Sequence, residues 1–387
     1  MNKLQSFLAK KPLFYKKIDY TRMPKAWESI EKYFKLPKII HIVGTNGKGS
    51  TGRFLAHFLH KSNVKVGHYS SPHILKFNER IWIKGNDVSD EILEINHEKL
   101  LKILSLDFQE SLSYFEYTTL LAMLCFNDCE YVVLEAGLGG ENDATAIFDS
   151  DLTLVTPISY DHQEFLGDNI KDISKTKLKV VRKFAILGKQ EYLEVYKISK
   201  KLAKVDSLEV FRYDYFFGFD ENCEANELIK ELNMAEFFVD NLLLAMAGAK
   251  FFGFEIDFKK MQNLKIFGRC QKISSNITID VGHNIAAASA LSNHFKNQKI
   301  ILVYNTYLDK DYEEILKILH PVIKRVEILP ILNERVEQKD ILQKRLDFLQ
   351  IEFSDFIKID KNEQYLIFGS FLVIEEFLKN YYGDNKK

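Results

Sequence analysis

Cysteine is scarce in this chain of 387 residues: only Cys125, Cys129, Cys223 and Cys270 occur, and no two form a CxxC pair. The usual tetrahedral zinc sites are thereby excluded. Cys125 and Cys129 stand at helical spacing inside the apolar run LLAMLCFNDC and read as a buried structural pair. An excess of charge of either sign is also missing, because 53 Lys and Arg face 54 Asp and Glu, a formal net charge of −1. So balanced a chain is not expected to bind nucleic acid or a charged membrane surface. There is no long uncharged run and no apolar segment at the N-terminus, so neither a transmembrane helix nor a signal peptide is expected. A cytoplasmic location is the corresponding expectation. Internal repeats are absent, and the only low-complexity stretch is the polar tail GDNKK.

What is present is ample apolar material, 46% of residues, and a length that suggests two domains. Short β-rich runs alternate with amphipathic helical patterns, the signature of βαβ units around a parallel sheet. Strands are expected at 39–43, 64–70, 131–136, 152–159 and 184–188, and helices at 50–60, 89–104, 114–127, 192–204 and 237–252. A second set follows Gly268-Arg269, with strands at 276–281, 299–305, 325–331 and 365–370. Helical patterns at 285–295, 311–320, 336–349 and 371–381 lie between and after them. The fold class is therefore α/β: a P-loop, doubly wound parallel-sheet domain over 1–268 and a smaller Rossmann-like domain over 269–387. A site shared by two such domains would lie in the cleft between them.

The segment IIHIVGTNGKGSTGRFLAHFL, residues 39–59, places a glycine-rich turn between an expected strand and an expected helix. Its spacing departs from G-x-x-x-x-G-K-[S/T], since Gly44 lies only three residues before Gly47 and Gly49 separates Lys48 from Ser50 and Thr51. Backbone N–H groups of Gly47, Lys48 and Gly49 could still converge on phosphate oxygens at the helix start. Lys48 could reach the β- and γ-phosphates, and Ser50 or Thr51 could supply oxygen to a magnesium ion. Other candidates stand at strand ends. Ser71 precedes Pro72, where a plain Ser-Pro turn is the simpler reading, and Glu135 closes an apolar strand, where a buried carboxylate needs a partner or a cation. His162 follows Asp161, an acid able to orient a ligating imidazole.

GTNGKGST, together with GHYSSPHILKFNERI (67–81), EYVVLEAGLGGENDAT (130–145), SYDHQEFLG (159–167), IFGRC (266–270) and IDVGHN (279–284), resembles the Mur-ligase superfamily. The resemblance is to its folate branch, the folylpolyglutamate and dihydrofolate synthases, in the bifunctional bacterial form, and it runs in order along almost the whole chain. It implies ATP bound by Asn46, Gly47, Lys48, Gly49, Ser50 and Thr51, with Asn241 on the adenine, Arg269 on phosphate and Asp280 on the ribose. It implies magnesium, as two ions, held by Ser71, Glu135 and His162, with a carbamylated Lys177 as a further ligand. The lysine segment departs from the family's E-K-A-G-I, reading T-K-L-K-V with Lys175 and Lys179 adjacent, and a solvated lysine-rich helix is the alternative there. Phe237-Phe238 replaces the family's His-Gln pair. Dihydropteroate contacts are implied for Ile18, Asp19, Tyr114, Phe115, Glu116, Asn142, Asp143 and Ala144, although Glu141 stands where the family carries a cation. The incoming glutamate is expected near His283 and Asn284.

The activity so implied is amide formation between L-glutamate and either dihydropteroate or a folate, by way of an acyl phosphate and without a covalent enzyme nucleophile. A monomer is expected, with small molecules as its partners. Two other functions share parts of this pattern. A muropeptide ligase would need a further N-terminal domain, for which the roughly forty residues before Gly44 are too few. A non-catalytic, nucleotide-gated binding protein would keep the loop and dispense with the remainder.

Overall fold

A computed structural model describes residues 2–12, 19–161 and 163–384. The chain divides into two compact units, one made of residues 1–228 and 239–264, the other of 229–238 and 265–387.

The first unit is built on an eight-stranded sheet. Its strands are β1 (Lys38–Val43), β2 (Val66–Tyr69), β3 (Ile81–Ile83), β4 (Asn86–Asp87), β5 (Tyr131–Glu135), β6 (Leu152–Val155), β7 (Phe184–Leu187) and β8 (Glu209–Arg212). They lie in the order β4-β3-β2-β5-β1-β6-β7-β8. All neighbours from β2 to β8 are parallel, and the hairpin of β3 and β4 adds an antiparallel edge. Ile39 to Val43 are buried without interruption, as expected of a central parallel strand covered on both faces. Two apolar clusters fill the layers beside the sheet. One joins Tyr69, Leu100, Tyr117, Leu121 and Phe126, and the other joins Val155, Ile173, Leu178, Ala185 and Val195.

This order sets the position of the loops. After β1 the chain passes through helix Lys48–Lys61 to β2, and it returns through helix Tyr114–Cys125 to β5, which lies between β2 and β1. It then crosses β1 to reach β6. The carboxyl ends of β5, β1 and β6 therefore meet at a topological switch point, where open α/β sheets bind ligands.

The second unit holds β9 (Gln271–Ser274), β10 (Ile277–Asp280), β11 (Ile300–Tyr304), β12 (Ile323–Ile328), β13 (Phe353–Asp355) and β14 (Tyr365–Phe368). Their order is β13-β12-β11-β14-β10-β9, parallel throughout except for β9. Strand β6 stops at Val155, short of the expected 159, because residues 156–159 leave the sheet. Cys125 and Cys129, expected to be buried, are half-buried and free.

Candidate active site

The glycine-rich loop is shaped by its glycines and secured by the segment that follows β6. Gly44 has φ +145° and Gly47 has φ +84°, both in the region that favours glycine. A Cβ on Gly44 would overlap the Thr156 hydroxyl, and one on Gly47 would overlap the Asn241 side-chain oxygen. The N–H groups of Thr45 and Asn46 donate to Pro157 O at 2.8 and 3.3 Å. Thr45 Oγ1 donates to Ser159 O and accepts from Ser159 N, both at 3.0 Å. Gly47 caps helix Lys48–Lys61 in a left-handed conformation, so the first N–H groups of that helix open onto the loop. Lys48 Nζ donates to Gly44 O and Thr45 O at 3.3 Å each, and it stands 4.0 Å from Glu135 Oε1.

Glu135 ends β5 and is 4% exposed. Its Oε2 accepts the N–H of Ser71 at 3.3 Å, which joins two of the expected metal ligands directly. Lys177 is also buried and is no solvated surface lysine; its Nζ donates to Gly44 O at 2.8 Å. Burial, assisted by the charge of Lys48, lowers the Lys177 pKa to about 7. Lys48, Glu135, Ser71 and Lys177 thus gather around one loop. His162 and Ile18 lie outside the described residues.

The fit of a divalent cation can be judged from the donors. Among the described residues no group of three or more His, Cys, Asp or Glu side chains is placed to hold a metal. Next to the loop, the Thr51 Oγ1 and Ser159 Oγ hydroxyls are buried and have no hydrogen-bond partner among the described residues. Buried polar atoms are normally satisfied, and hydroxyl and carboxylate oxygens are the donors that suit a hard cation such as magnesium. The residues present fit the ion.

Several expected acceptor-binding residues are engaged with the protein itself. Asp143 accepts the N–H and hydroxyl of Thr145 at 2.9 and 2.6 Å and the N–H of Leu138 at 2.8 Å. Burial raises its pKa, and those hydrogen bonds oppose the rise. Thr145 in turn meets His41 Nε2 at 2.7 Å. Since the Thr145 hydroxyl proton is directed at a carboxylate, His41 is the donor, and burial lowers its pKa to about 3. Glu116 closes a capping box with Ser113 and pairs with Arg22 at 2.7 Å. Tyr114 faces Arg80. Phe115 stacks on Tyr69 and packs against Gly137, where a Cβ would lie 2.7 Å from its ring. Asn142 is exposed and Ala144 buried, and exposed Asp19 accepts from Thr21 at 2.9 Å. Glu141 pairs with Lys179 at 2.9 Å, so the exchanged charge has a partner on the lysine-bearing helix.

Arg269, Asp280, His283 and Asn284 belong to the second unit. Asp280 accepts the N–H groups of Cys270 and Gly282 at 2.7 Å each. Burial raises its pKa against the opposing charge of Arg269. The Arg269 guanidinium lies 5.3 Å from the Phe371 ring centre. His283 Nδ1 lies 3.2 Å from Val281 O, and Asn284 caps helix Ile285–His294 through Ala287 N. Sequence reasoning missed Gln190. Its buried amide accepts from Ile158 N at 3.0 Å and donates to Thr156 O at 3.2 Å and Gly188 O at 3.1 Å, fixing the segment on which the loop rests. No local pattern marks it, since its partners lie in the segments that follow two different strands.

Residues 42–249 match the Mur ligase middle domain. A dihydrofolate synthase/folylpolyglutamate synthase of Haemophilus influenzae is 30% identical over 92% of both chains. The chain belongs to this family. A Buchnera aphidicola enzyme of the same name, from the Acyrthosiphon pisum subspecies, is 32% identical over 88% of both chains. Among solved structures, Helicobacter pylori folylpolyglutamate synthetase is 38% identical with a TM-score of 0.81, covering 98% of each chain. Escherichia coli FolC in complex with DHPP and ADP has the same fold, with a TM-score of 0.81 at 23% identity over 99% of this chain and 98% of its own.

Proposed function

We propose that the chain is an ATP-dependent ligase adding L-glutamate to dihydropteroate and to the glutamyl tail of reduced folates. The observation that carries this reading is the gathering of Lys48, Glu135, Ser71 and Lys177 around one phosphate-type loop at the switch point of the sheet. The family's curated members bear the name of this activity. The first unit carries the phosphate-type loop and the pterin-binding residues and the second the amino-acid site near His283, in a cytoplasmic monomer.

A carboxylate is a poor electrophile and must be activated. One of its oxygens attacks the γ-phosphorus of ATP and the bond to ADP breaks, leaving an acyl phosphate. The glutamate amine then attacks the acyl carbon, phosphate departs with the bonding electrons, and the nitrogen loses a proton. The loop amides and Lys48 oppose the charge that collects on the transferring phosphoryl oxygens. Phosphate binding is proposed for Arg269, adenine binding for Asn241 and ribose binding for Asp280. Glu135, Ser71 and Thr51, with His162, would hold magnesium, which when bound neutralises phosphate charge and orients the γ-phosphoryl group. A Lys177 amine held partly neutral is the form that adds carbon dioxide, giving a carbamate and a proton, so Lys177 is proposed as an anionic ligand for a second ion.

Lys48→Ala and Glu135→Ala are expected to lower glutamate-dependent phosphate release by at least about a hundred-fold, with thermal unfolding showing an intact fold. Turnover at the parental rate in either variant would refute the site.

A further inference from the structure

Arg80 is buried, at 8% exposure, and none of the roles assigned above uses it. It ends the short turn Phe77–Arg80, whose backbone is tightly fixed. The Glu79 carboxylate accepts the N–H groups of Ile74, Leu75 and Lys76 at 2.7, 2.8 and 2.7 Å. The Asn78 amide donates to Val88 O and to Asp90, both at 2.8 Å. On this base the guanidinium is held in two ways. Its Nε donates to His73 Nδ1 at 2.8 Å, and its carbon lies 5.2 Å from the centre of the Tyr114 ring. Phe77 packs edge-on against both His73 and Tyr114, at 6.1 and 6.3 Å between ring centres.

A guanidinium carries five N–H donors and stays charged in proteins. Among the described residues only its Nε donor has an acceptor, and no carboxylate pairs with Arg80. A buried charge without a counter-charge is costly. A planar fork fixed by stacking and by one hydrogen bond is also the geometry that receives a carboxylate through two parallel bonds. Its place in the sheet agrees. Arg80 O accepts Ser70 N at 2.9 Å, and Ile81 pairs with Tyr69, which pairs with Leu134. Arg80 therefore stands at the same carboxyl edge as Ser71 and Glu135, two strand spacings or about 10 Å along the sheet from Glu135.

We propose that Arg80 is a binding residue that takes a carboxylate of the acceptor acid between its two Nη groups, with Tyr114 and His73 as the residues that orient it. This rests on the ligase reading above. Dihydropteroate is the simplest probe, since its single carboxylate can be replaced by a carboxamide. Binding of both compounds to the full chain is measured by titration calorimetry without ATP or glutamate, for the parental protein, Arg80→Gln and Arg80→Lys. The parental chain should favour the carboxylate roughly ten- to hundred-fold. Arg80→Gln should lose that preference by weakening the carboxylate alone, and Arg80→Lys, which keeps charge without the fork, should fall between. ADP affinity should be unchanged in both variants. A parental chain that binds acid and amide equally overturns the proposal even if neither variant folds, and leaves the ligase reading to be judged by turnover. Equal weakening of both compounds in Arg80→Gln also overturns it, as a structural effect. A parental chain that binds neither compound overturns the proposal and the acceptor assignment together.

Discussion

Burial, and then the charge of Lys48, hold the Lys177 pKa down at about 7, against an ordinary 10.5. The consequence for stability has a definite sign. Between pH 7 and 10.5 the unfolded chain keeps a proton on this amine that the native chain has released, so stability rises with pH across that window. The contribution is complete above the unfolded value, falls as pH drops toward 7 and is flat below it. Lys177→Met should remove a slope of at most about 1.4 kcal/mol per pH unit, read as the pH dependence of the urea midpoint in carbonate-free buffer. An unchanged slope would show that Lys177 titrates normally. Among the candidate residues, the sequence marks which types could carry chemistry but not what their side chains already hold. Glu116, Asp143 and Asp280 are motif acids, yet each accepts a backbone N–H, from Ser113, Thr145 and Cys270 respectively. Those partners are set by turn geometry that residue spacing does not encode.

At the scale of elements, β1, β5, β7, β10 and β14 were legible because central parallel strands are continuous apolar runs. The missed strands lack that signal. β3 is three residues long behind the polar turn FNER, and edge strand β8 has no fully buried residue. Helix Arg22–Ile30 was missed as well, a stretch with a proline and mixed polarity. The loop 156–159 reads as the end of an apolar strand, but it departs from the sheet to support the phosphate-type loop, and Gln190 holds it there. Gln190→Leu would leave the buried N–H of Ile158 and two carbonyls without their partner. The expected cost is about 2–3 kcal/mol of stability, measured by denaturant unfolding, together with a raised KM for ATP. A stability loss under about 0.5 kcal/mol, with KM unaltered, would show that the loop is supported some other way.

For the whole molecule, two α/β sheets and a set of strand-end motifs identify a family whose chemistry needs ATP, an acid and an amine at once. The loop that departs from the common G-x-x-x-x-G-K-[S/T] spacing lies where the carboxyl ends of β5, β1 and β6 meet, and its lysine faces the Glu135 carboxylate. Every role assigned to these residues depends on one coupled reaction. The decisive measurement is phosphate release by the full chain with magnesium and ATP, in the presence of dihydropteroate, of L-glutamate, and of both. Sustained release only when both are present, with dihydrofolate formed in equal amount, is the predicted result. Release that is indifferent to the acceptor, or none with either dihydropteroate or a reduced folate, would contradict the account.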